Sequence, residues 1–129
     1  MQIQTSITPF LLVANAANAV SFYQAAFGAT IRERHDLPEG RLIAKLAVDT
    51  SEFWVADEEP AYDNFGPAKF GGSPVHMILV TPTPEEIFEA ALQNGAQSLC
   101  PVQTEHSWKI GRLLDPSGHL WEIGHPLPG

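Results

Sequence analysis

ITPFLLVANAANAVSFYQAAFGA, residues 7–29, and VHMILVTPTPEEIFEAALQNGA, residues 75–96, follow one order of features. Each is an apolar strand, a short polar break, an amphipathic helix and then Gly-Ala. Setting Thr8 on His76 gives an offset of 76 − 8 = 68, and the helix-ending glycines give 95 − 28 = 67. The order of features matches although the identities are few, so the chain reads as two modules of one plan.

The second helix carries the stronger local signals. Thr83-Pro84-Glu85-Glu86 has the pattern of a capping box, with Pro at the first helical position and acids in the first turn. Ile87, Phe88, Ala91 and Leu92 share a face, and Asn94-Gly95 supplies a left-handed stop. In the first helix Asn15 is the expected cap. Val20, Tyr23 and Phe27, with Ala19 and Ala26, form the stripe to be buried, and Gly28 ends it.

Apolar segments of strand length follow each helix. They are residues 30–36, 41–48 and 52–56 in the first half, and 97–103, 108–114 and 119–124 in the second. The turn Asp115-Pro116-Ser117-Gly118 joins the last two. Each half is strand–helix–strand–strand–strand. The expected organisation is one α+β domain, with a first module over 1–57, a loop of Gly, Pro and aromatics over 58–74, and a second module over 75–129.

Composition limits the function classes. With 44 % apolar residues the chain can build a core. Seven basic against 15 acidic residues give 7 − 15 = −8, which removes the basic footprint needed for nucleic acid or anionic membranes. One cysteine, Cys100, cannot form an internal disulfide. No apolar run approaches the roughly 18 residues of a membrane span, and residues 1–6 lack the charge and apolar run of a secretory signal. The expectation is a cytoplasmic protein whose partners are small molecules and a second copy of itself.

With FYQAAFGA closing the first helix and LLDPSGHLWEI near the chain end, the βαβββ repeat resembles the vicinal oxygen chelate superfamily. That superfamily includes glyoxalase I, extradiol dioxygenases, fosfomycin-modifying enzymes and bleomycin-binding proteins. ITPFLLV, GGSPVHMIL and HSWKIGRLLDPSGHLWEIGHP are similar to its PhnB-like branch. The resemblance implies a curled eight-stranded mixed sheet, with helices on the convex side and a ligand, usually over a divalent metal, on the concave side. It also implies a homodimer.

The resemblance places two family metal-ligand positions on His76 and Glu122. The matching positions of the first module are Thr8 and, since 122 − 54 = 68, Trp54. A neutral hydroxyl binds divalent ions weakly and an indole nitrogen has no lone pair to give. The expectation is therefore no tightly bound cofactor; the alternative is a divalent ion, Zn, Ni, Mn or Fe, on His76 and Glu122. Without metal, His76 and Glu122 are candidate catalytic residues, as a hydrogen-bonded acid–base pair.

Alternation places Thr8, Phe10 and Leu12 on one face and sets Trp121, next to Glu122, in the core. Register with Glu122 in the resemblance implies that Trp54 faces inward, with Phe53 under the helices. Trp54, Phe10, Leu12 and Thr8 are expected around a ligand together with His76 and Glu122, with Trp108 at the rim. Lys109 and Arg112 could meet an anion on a ligand or pair with surface acids. His119 is expected at a solvent-facing turn exit, and His125 beyond the last strand. His35 and His106 give no further clue, and Cys100 reads as a small packed apolar residue. Three readings stay open: metal-free binding of a small planar or hydrophobic molecule, a metal-dependent lyase, isomerase or dioxygenase, and a metal-free enzyme using His76 or Glu122.

Overall fold

A computed structural model describes residues 2–128 of the chain. The elements run β1 (Phe10–Val13), α1 (Ala16–Phe27), β2 (Thr30–Asp36), β3 (Leu42–Val48), β4 (Ser51–Asp57), α2 (Pro67–Phe70), β5 (His76–Val80), α3 (Pro84–Gln93), β6 (Gln97–Glu105), β7 (Trp108–Leu114) and β8 (Leu120–Pro126). The strands form two four-stranded sheets, ordered β1-β4-β3-β2 and β5-β8-β7-β6. In each, the first strand pairs in parallel with the last and the remaining pairs are antiparallel. This is the α+β arrangement of two βαβββ modules that the resemblance implies, although among the described residues no ladder joins the sheets into one of eight strands.

The pairing register reproduces the repeat. Phe10 lies opposite Trp54 in the first sheet and Ile78 opposite Glu122 in the second, and both members of each comparison differ by 68. Strand parity follows. Phe53 and Trp121 are buried under the helices, which sends Trp54 and Glu122 to the other side of their sheets.

Helix α1 starts where Asn15 accepts a hydrogen bond from the Asn18 amide, as expected, and stops at Gly28 with φ 70°. A second acceptor, Asp57 at the end of β4, serves both the Ala16 and Leu42 amides at 2.8 Å. Helix α3 lacks the expected capping box. The Thr83 side chain makes no cap hydrogen bond; instead the Thr81 hydroxyl accepts from the Thr83 amide at 3.2 Å. Two strands, β6 and β8, end two residues further along the chain than expected. β6 reaches Glu105 because His106 and Ser107, both at positive φ, make a two-residue hairpin turn. β8 reaches Pro126, so His125 lies within it, opposite Lys109.

A single core cluster spans both modules. At its centre Tyr23 of α1 touches Phe53 and Trp121 with ring centroids 5.2 and 5.6 Å apart. The buried Asp115 carboxylate sits at its edge. One oxygen accepts from the Ser117 and His119 amides at 2.9 and 3.0 Å, fixing the turn. The other accepts from the Tyr23 hydroxyl and from Trp121 Nε1, the latter at 2.9 Å. Burial first, and then the Asp115 charge, raise the Tyr23 pKa well above its ordinary value. His119 is buried too and does not face solvent at the turn exit. Its Nε2 lies 2.8 Å from the Leu12 carbonyl of β1, where the ring closes the seam between the modules.

The sign of the alkaline limb follows. Above about pH 10 an unfolded Tyr23 ionises while the folded one keeps its proton, so the folded state binds more protons and stability falls as pH rises. Tyr23→Phe should remove about 1.4 kcal/mol per pH unit from that slope and lower stability near neutral pH by roughly 1–3 kcal/mol. Urea unfolding across the alkaline range checks both; an unchanged slope would place the Tyr23 proton in solvent.

Candidate functional site

Two inner sheet faces carry the sequence-marked residues. On the first, Phe10 and Trp54 are paired with ring centroids 6.4 Å apart, and Phe10 is half exposed. Lys45, opposite Trp54 on β3, holds its ammonium 5.3 Å from the indole centre, within cation–π range. The same ammonium lies 3.4 Å from Glu33, whose second oxygen meets His35 Nε2 at 2.9 Å. The hydrogen bond from His35, ahead of that from Lys45, draws the Glu33 carboxyl below its ordinary range. His35, Glu33, Lys45 and Trp54 thus form a chain of contacts across the face. His35 had given no clue in the sequence, but its parity with Glu33 on one strand is the signal that could have paired them.

The second face holds the family-register pair. His76 Nδ1 lies 3.1 Å from one Glu122 oxygen, and Arg112 Nε lies 3.3 Å from the other. Arg112 turns its two remaining nitrogens to Glu105, at 2.9 and 3.2 Å, in a forked pair. That bond with Glu105 is the main reason the guanidinium is held more firmly protonated than usual, and it lowers the Glu105 carboxyl in return. Arg112 therefore meets carboxylates, but they belong to this chain. Lys109 is similarly taken by Glu85 of α3. Ile78, Ile110, Arg112 and Trp108 line a hollow of about 200 Å³ beside the pair. Trp108 thus lies in the wall of a second-module hollow.

The structure does not gather all the expected residues into one cavity. Trp54 has Phe10 and Lys45 as neighbours, not His76 or Glu122, because the two faces belong to separate sheets. Thr8 is exposed and precedes β1. Leu12 is half-buried and turns to the seam between the modules. Cys100 is half-buried and takes a hydrogen bond from the Gln103 amide nitrogen at 3.3 Å. The site residues that sequence reading missed are Lys45, Glu33 and Glu105.

These donors fit a metal poorly within one chain. Among the described residues no group of three His, Cys, Asp or Glu side chains converges. His76 and Glu122 are the two ligand-type residues in family register, and both Glu122 oxygens already have partners. Among the described residues no helix is long and apolar enough to cross a membrane.

Comparison with known proteins gives this geometry a family. A sequence model of the glyoxalase-like domain matches residues 10–124. An uncharacterised protein of Mycobacterium bovis is 30 % identical over 133 residues, spanning 98 % of this chain and 87 % of its own length. A solved gene product of Arabidopsis thaliana is 30 % identical, with a TM-score of 0.68 over 95 % of this chain and 98 % of its own. The fosfomycin resistance protein FosX of Listeria monocytogenes, solved with Mn(II) and sulfate, shares the fold at 12 % identity, with a TM-score of 0.69 over 96 % of this chain and 93 % of its own. With the repeat, the paired register and a family match over nearly its whole length, this chain belongs to the glyoxalase-like domain family of the vicinal oxygen chelate superfamily.

Proposed function

We propose that the protein binds a small planar or hydrophobic molecule on its inner sheet faces, without a metal. The observation that carries this reading is the open Phe10–Trp54 pair. A large indole stands where the family places a ligand to metal, and its ring is left partly accessible beside a second aromatic. Such surfaces hold flat apolar ligands by stacking, with a few polar groups fixing orientation. Lys45 beside the indole supplies a cation for a ligand acceptor or carboxylate.

A homodimer belongs to the same reading. Phe10, Ile78 and Val80 stand 53 %, 61 % and 57 % exposed on the sheets. Exposed apolar side chains of this size favour a covering partner. A second copy could close the first-module face of one chain over the second-module face of the other, so that Trp54 and His76 meet across chains.

A second reading has its own observation. A carboxylate only accepts hydrogen bonds, so with Glu122 3.1 Å from His76 Nδ1 the neutral imidazole carries its proton there and has Nε2 bare on a half-exposed ring. Such a nitrogen can take a proton from a bound molecule while Glu122, backed by Arg112, holds the ring's orientation. In this reading His76 is the base and Glu122 the positioning residue.

Four measurements check these readings. Trp54→Ala should weaken binding of a naphthalene-type fluorescent probe by roughly 1–3 kcal/mol, and unchanged affinity would remove Trp54 from the site. Light scattering at micromolar concentration should give about 28 kDa, twice 14.1 kDa, and elemental analysis after chelator-free purification should find no stoichiometric Zn, Ni, Mn or Fe. A monomer would overturn the dimer, and one metal per chain the metal-free site. For the second reading, imidazole ¹⁵N spectra near neutral pH should show a bare Nε2 on His76, a preference lost in Glu122→Ala; a tautomer unchanged by that substitution would show that Glu122 does not orient the ring.

A further inference from the structure

A crevice runs along the seam between the two modules, away from His76 and Glu122. Two adjoining hollows, of about 240 and 300 Å³, share Phe10, Ser73 and His119 in their walls. The loop after β4 supplies the roof, with Phe65 and Phe70 over one hollow, and Met77 of β5 lines the other. The roof lies close to the sheet. A Cβ on Gly66 would fall 2.7 Å from the Leu12 carbonyl oxygen, so only glycine allows this approach. About 150 Å³ of apolar space holds one benzene ring. The hollows are therefore large enough for a small aromatic molecule, and their walls are mostly aromatic and aliphatic.

One polar atom in this lining has no protein partner. His119 is 9 % exposed, and its Nε2 lies 2.8 Å from the Leu12 carbonyl. A carbonyl only accepts, so Nε2 carries the proton and Nδ1 of the neutral ring is a bare acceptor. No hydrogen bond reaches Nδ1 from the described residues, yet no fully enclosed side-chain nitrogen or oxygen lacks a partner among them. Nδ1 therefore keeps an opening, and His119 lines both of these hollows. A buried acceptor in an apolar surround favours a ligand that brings one donor.

We propose that this seam crevice is a second binding site, for a small aromatic molecule carrying a single O–H or N–H that donates to His119 Nδ1. It selects phenol-type ligands over hydrocarbons of the same shape, since a hydrocarbon leaves the nitrogen unpaired and excludes its water. The site shares Phe10 with the Trp54 pair but uses neither Trp54 nor His76, and its occupation does not require the function proposed above.

The test titrates phenol, and separately toluene, into the full-length ¹⁵N-labelled protein at about pH 8. Phenol should saturate with shifts of the His119 ring nitrogens and of amides around Phe65 and Phe70, leaving the His76 ring unmoved. Toluene, which replaces the hydroxyl by a methyl, should bind at least about tenfold more weakly. Phe70→Ala, at a ring 70 % exposed and outside the core, should lower phenol affinity severalfold without unfolding the chain. Equal binding of phenol and toluene, a non-saturating response at His119, unchanged affinity in Phe70→Ala, or shifts at His76 in place of His119 would each overturn the proposal. None of these results bears on whether Trp54 binds the fluorescent probe.

Discussion

The Asp115 carboxylate is the point on which both modules converge. It accepts from two amides of its own turn, from the indole of β8, and from a tyrosine hydroxyl on the helix of the other module. A buried carboxylate is costly to desolvate, and this one is retained because four donors surround it. The consequences spread from there. The turn sets the start of β8, so Trp121 faces Tyr23 and, by alternation, Glu122 faces away. The same turn presents His119 to the Leu12 carbonyl, which holds β1 against the second module. Removing Asp115 would strand several donors at once, so its loss should disturb both the core and the seam.

The inner faces inherit their chemistry from that parity. Both closing strands place their register-matched residue opposite a basic side chain: Lys45 beside Trp54, and Arg112 beside Glu122. In the second module the acid is present, and it forms a pair with His76 through one oxygen and a single contact with Arg112 Nε through the other, while the Arg112 fork goes to Glu105. In the first module the acid is replaced by an indole, and Lys45 turns to Glu33 and the aromatic ring instead. One plan has thus produced a polar relay on one face and an aromatic shelf on the other. The exchange of Glu for Trp carries the difference, and it also disfavours a metal held by one chain.

Much of the fold was legible because it rests on local periodicity. The two helices and the order of elements follow from apolar spacing and from a repeat offset that the pairing register reproduces, and the inward parity of Trp54 followed from its register with the Glu122 position of the resembled superfamily. What was hidden depends on contacts distant in sequence. Asp115 reads as an ordinary turn residue, and Tyr23, its most distant partner, lies 92 positions away. Asp57 caps α1 from a strand 41 positions on, which no rule for a helix start detects. The hairpin at His106-Ser107 carries positive φ without Gly or Asn, so its turn left no compositional mark. His119 looked like a turn exit because its acceptor, Leu12, belongs to the other module. The inner faces were expected to converge on one cavity, yet parity fixes only the side of a sheet and not which sheets face each other.

The central claim is that Asp115 couples the first module's helix to the second module's last strand. A double-mutant cycle of Tyr23→Phe and Asp115→Asn, read by urea unfolding, measures that coupling directly. The asparagine keeps an oxygen for the turn amides but presents an amide nitrogen to Tyr23 and Trp121. The account predicts that Tyr23→Phe costs roughly 1–3 kcal/mol less in the Asp115→Asn background than in the native chain. Costs that add to within about 0.3 kcal/mol would contradict it, and would mean that the Tyr23–Asp115 contact does not couple the two modules.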